Sequence, residues 1–81
     1  MTLNDKYQKL GTDFVASTRE LRPQQSYAIK NGNWSENNIY VGYAVGNHIF
    51  INEVTEVVEK IGDRKILDMI DFETIAFQAP D

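Results

Sequence analysis

His48 is the one histidine of the chain, and Ser17, Ser26 and Ser35 are its three serines. Nucleophilic catalysis of the serine type would have to be built from these residues. It needs a base within hydrogen-bond reach of the nucleophile and a further group to orient the base. His48 stands at a turn, within reach of Tyr43 or Trp34, and no serine is near it in sequence. The expectation is a half-buried strand histidine in a protein that is not an enzyme. Cysteine is absent, which excludes disulfides, thiolate metal sites and thiol catalysis together. Asp68 and Asp71 form a D-x-x-D pair with Glu73 beyond, the oxygen chemistry that hard cations take. No glycine-bearing calcium loop accompanies the pair, and no glycine loop of the phosphate-binding kind occurs. Neither metal nor cofactor is expected.

Recognition has more candidates than catalysis. Glu53, Glu56, Glu59 and Asp63 follow one another at i, i+3, i+6 and i+10. On a helix they would share one face, opposite Val54, Val57, Val58 and Ile61. A row of carboxylates can imitate a phosphate track and block a nucleic-acid-binding protein. An ordinary solvated face, with Lys60 and Arg64 partly neutralising it, is the plainer reading. Trp34 lies among Asn31, Asn33, Asn37 and Asn38 in a polar stretch. There it is either an exposed contact residue or a lid folded over the core, and tryptophan is enriched at binding hot spots. Trp34, Asn33, Asn37 and the four carboxylates form the expected partner-binding set.

The elements that must position these residues follow from periodicity. Leu3, Tyr7, Leu10 and Phe14 recur at helical spacing, which predicts a helix over residues 2–21, stopped by Pro23. Residues 26–30 read as a short strand. Asn31-Gly32 is a type I′ turn signal, and Ser35 to Asn38 follow at once, so residues 31–38 are expected as a loop rather than a tight hairpin. Residues 39–45 and 48–51 read as a hairpin around Gly46-Asn47, with Val45 opposite His48 and Tyr43 opposite Phe50. Almost every residue from 38 to 52 is apolar or glycine, so both faces of this hairpin need cover. Gly42 and Ala44 would admit a close neighbour on one of them. A helix from Glu53 to Ile61, ended by Gly62, then a helical piece from Asp63 and a strand over 72–78 complete the chain. The order α-β-β-β-α-α-β defines a single two-layer α+β domain over residues 1–81, a small antiparallel sheet packed by amphipathic helices.

Size and charge narrow the function classes. Eighty-one residues suffice for one small domain. The net charge is −4, and it is uneven: residues 53–81 hold eight acidic and three basic side chains. Phosphate neutralisation needs a basic face, so direct nucleic-acid binding is not expected, and the acidic end suits a basic protein surface instead. No apolar run approaches the ~20 residues of a membrane span. The expectation is a cytoplasmic, non-catalytic, acidic protein-binding module. It would inhibit or modulate a larger, nucleic-acid-handling protein in the style of phage and mobile-element proteins. The alternatives are an accessory subunit of a larger enzyme, or a small-ligand domain whose pocket is lined by Tyr27, Tyr40, Tyr43 and Phe50. Two apolar hairpin faces in so small a domain also predict a symmetric homodimer.

Overall fold

The computed structural model describes residues 14–32 and 34–77, Trp34 through its backbone alone. Five strands form one antiparallel sheet: β1 (Ser26–Asn31), β2 (Trp34–Ala44), β3 (Asn47–Asn52), β4 (Val58–Gly62) and β5 (Ile75–Phe77), in the spatial order β4-β3-β2-β1-β5. One α-helix, α1 (Asp63–Asp71), packs against β3 and β4. The architecture is α+β, but the element order is not the expected one.

Two expected elements change identity, and so does the described end of a third. The helix over 2–21 falls partly outside the described residues; within them, Phe14 bridges to Ala76 of β5, and only Thr18–Glu20 turns, as a 3₁₀ helix. Ser17 caps that turn in a capping box with Glu20. The Tyr27 hydroxyl then pins the segment, accepting from Arg22 N–H and donating to Glu20 O, both at 2.8 Å.

The loop expected over 31–38 is strand. β1 and β2 join in a tight hairpin, Asn31 paired with Trp34 and Gly32 at φ +67°. Turn chemistry prevailed over the polarity of the following residues because those residues satisfy one another. Glu36 accepts at 3.0 Å from Asn31 Nδ2 on one oxygen and from Asn52 Nδ2 on the other. Asn38 Nδ2 donates to Glu36 O at 3.1 Å.

The helix expected from Glu53 to Ile61 is a turn followed by β4. Asn52 Oδ1 accepts from the N–H groups of Val54 and Thr55, and Glu56 adopts φ +61°. An asparagine that binds the backbone ahead of it competes with helix, and β-branched valines favour strand. Gly62 precedes α1 as its N-cap instead of ending a helix. Glu73 takes the left-handed position after α1 at φ +56°, with Thr74 N–H bonded to Met69 O and Glu73 N–H to Ile70 O. This is a Schellman motif made without glycine.

The β2–β3 hairpin is present in a different register. Ala44 pairs with Asn47, so Val45-Gly46 is the turn, both residues at positive φ. The register shifts between Tyr40 and Gly42, a bulge at Val41. Tyr40 lies opposite Phe50, and Tyr43 opposite His48 rather than opposite Phe50. A β-Cβ added at Gly42 would meet nothing within 4 Å, so the glycine serves the bulge (φ +154°) and not close packing.

The core lies on the face that carries Tyr27, Tyr40, Phe50, Ile61 and Ile75, with Val15 and Ile66 packed over it. Tyr27 meets Tyr40 and Phe50 edge-on, at centroid distances of 6.5 and 6.4 Å. Tyr27, Tyr40 and Phe50 fill the interior, while Tyr43 is exposed.

Candidate functional site

The carboxylates expected in one row are dispersed. Glu53 receives a short hydrogen bond from Ser26 Oγ, and its N–H bonds Asn37 O. Glu56 sits in the β3–β4 turn. Glu59 projects from β4 on the core side, opposite Phe50. Asp63 opens α1 and is joined to the sheet by Tyr43, whose hydroxyl donates to Oδ2 at 2.8 Å. Asn37 is a mid-strand residue paired with Ala28, Trp34 begins β2, and Asn33 lies outside the described residues. Of the described members, Glu53 and Asn37 meet, while Glu56, Glu59 and Asp63 lie on different elements.

The bulge at Val41 assembles a different cluster. It turns Tyr40 and Tyr43 to the same side of the sheet, where strict alternation would separate them. His48 stands between them. Tyr40 Oη is 2.9 Å from Nδ1, and Asp63 Oδ1 is 3.5 Å from Nε2. A hydrogen on Nε2 suits both partners: Nδ1 accepts from Tyr40, and Nε2–H faces Asp63. Burial raises the Tyr40 hydroxyl above the usual tyrosine range, with the neighbouring Tyr27 adding to it. The bond to Asp63 does the same for Tyr43. Both imidazole nitrogens thus face protein partners, and no serine belongs to the cluster. The arrangement ties the β2–β3 hairpin to the start of α1.

Among the described residues, no strand covers the outer edge of β4. Asn52 N–H bonds Val57 O, and Asp63 N–H bonds Gly46 O, which fixes the parity of the β3–β4 ladder. Residues 57, 59, 61 and 63 turn their backbone groups to β3. Val58 and Lys60 therefore aim their N–H and C=O groups outward, where no described strand lies. Val54 (88% exposed), Val57 and Val58 form exposed apolar surface beside this edge. The signal for strand was the β-branched chemistry of Val57, Val58 and Ile61, masked because the same residues also fit helical spacing.

A cleft of about 270 Å³ opens between α1 and the core side of the sheet. Glu36, Asn38, Glu59 and Lys65 line it with Ile61 and Met69. Glu36 and Asn38 were hidden from sequence reading because their stretch reads as loop. As strand residues they alternate with Tyr40 on one face, a period of two.

Among the described residues, no group of three or more metal-ligating side chains converges, and no helix is long and apolar enough to cross a membrane. The chain matches no protein-family model, no curated protein and no solved structure.

Proposed function

We propose that the protein is a non-catalytic binding module that takes up an extended basic segment of a larger protein along β4. The observation that carries this reading is the row of outward backbone groups at Val58 and Lys60. An extended chain can add to such an edge, main-chain bonds giving affinity and side chains giving specificity. Exposed apolar surface at Val54, Val57 and Val58 supports it, since contiguous apolar exposure marks interaction sites. Charge favours a basic partner: Glu53 and Glu56 precede the strand, and Lys60 is the one cation from Glu53 to Gly62. A second copy of β4 fits poorly. The two-fold register that pairs Val58 with Gly62 sets Lys60 against its own copy, and a shift of one residue toward the turn sets Glu59 against its copy. Like charges directly opposite are destabilising.

Lys60→Pro tests the reading. Proline removes an N–H that β3 does not use and is tolerated at sheet edges. Selection of short peptides from a display library on the wild-type chain should return binders rich in Lys and Arg. These should lose binding to Lys60→Pro while its far-UV circular dichroism is unchanged. Binders indifferent to the substitution, or none at all, would remove strand addition as the mode.

A further inference from the structure

We infer that the cleft between α1 and the sheet is a binding site for a small aliphatic α-amino acid. The inference is independent of the β4 edge, because the cleft opens on the core side, where Glu59 and Ile61 project.

Asn38 is the first indication. Its side chain is 4% exposed and lines the cleft. Its Nδ2 donates to Glu36 O, and no described residue donates to its Oδ1. The oxygen is not sealed off but opens on the cleft, with acceptor capacity to spare. Here the oxygen borders a cavity in which a ligand donor can supply the bond.

The surrounding charges specify that donor. Glu36 is held in place by one amide on each oxygen, Asn31 Nδ2 and Asn52 Nδ2 at 3.0 Å, and each oxygen retains further acceptor capacity. Glu59 has no hydrogen-bond or ion-pair partner among the described residues, nor has Lys65. The cleft thus holds acidic and basic side chains together, Glu36 and Glu59 with Lys30 and Lys65, and Glu59 and Lys65 do not pair with each other. An ammonium group has three donors, matching Glu36, Glu59 and the Asn38 oxygen. Lys65 offers a point charge for a carboxylate. Ile61 and Met69 supply apolar wall for an aliphatic side chain, as pocket linings commonly do. The cleft, of about 270 Å³, has room for a small molecule such as a single amino acid.

The test uses L-leucine and two truncated probes: isopentylamine, which lacks the carboxylate, and 4-methylpentanoate, which lacks the ammonium. Each is titrated into the isotope-labelled protein and followed by amide resonances. Leucine should give saturable shifts at Asn38, Glu59, Ile61 and Met69, and 4-methylpentanoate should give none. Isopentylamine should bind more weakly than leucine. Glu59→Gln and Lys65→Met touch no hydrogen bond of the described fold, and each should weaken leucine by about tenfold, the value of one charged hydrogen bond. Absence of saturable leucine shifts, or unchanged affinity in Glu59→Gln, overturns the site. Isopentylamine binding as tightly as leucine overturns the assignment of a zwitterion.

Discussion

Val45 stands at the tip of the β2–β3 hairpin at φ +50° and is 96% exposed. A β-branched residue is disfavoured there, where its Cβ crowds the backbone, and it gains no packing in return. Val45→Asn should therefore stabilise the fold by about 1 kcal/mol, because asparagine tolerates this conformation and Asn-Gly suits a type I′ turn. Urea midpoints of the two proteins check it. The tyrosines of the His48 cluster give a second prediction, in pH. Tyr40 and Tyr43 are both held above the ordinary value, so their protonated forms are favoured when folded. The unfolded chain loses these protons near pH ~10, before the folded chain does. Above that point the native state binds more protons, and stability falls as pH rises; below it the contribution is fully present. Denaturant midpoints across the alkaline range should show this decline, and Tyr43→Phe should make it shallower.

At the scale of elements, the bulge in β2 is the feature with the widest reach. Gly42→Val and Gly42→Ala should both destabilise, by about 1 kcal/mol or more, through the backbone and not through crowding. An equal or higher midpoint for either variant would show that the bulge does not need glycine. The bulge also marks what sequence could and could not convey. The sheet with helix was legible, and so were the hairpin around residues 39–51 and the strand at 26–30. The register was not, because one extra residue at Val41 changes the pairing without changing the apolar pattern. Residues 53–61 were misread because Val54, Val57, Val58 and Ile61 satisfy a helical period as well as their β-branched chemistry satisfies strand. Asn52, which decides between the two, acts through a side-chain bond that periodicity does not register. The expected partner-binding set suffered in consequence, since its carboxylates were aligned only by a helix that does not form. The cleft went unseen for the converse reason. Glu36 and Asn38 come together with Glu59 and Lys65 only after three strands and a helix are in place.

For the whole molecule, we propose the second face of the sheet as the surface for the expected self-association. Ile39, Ile49 and Ile51 are half-buried there, beside exposed Val58, while the charges on β4 oppose edge-to-edge pairing. The dimer expected from composition would pair these faces. Sedimentation equilibrium should show it for the wild type, and Ile49→Lys should return a folded monomer. A wild-type chain that is monomeric at every concentration would eliminate the dimer. The sheet order has one further effect, on the timing of assembly. β1 to β4 follow one another as neighbours, each pairing with the strand just before it. β5 instead crosses back to β1, with Tyr27 against Phe77 and Ile29 against Ile75. Closing that pairing spans most of the chain and costs the most loop entropy before any contact is gained. The meander can thus be in place while Val15, Ile66 and Ile75 still lack their final neighbours. β5 is the element whose docking converts it from a set of hairpins into a closed core, and its long loop closure predicts that it docks late.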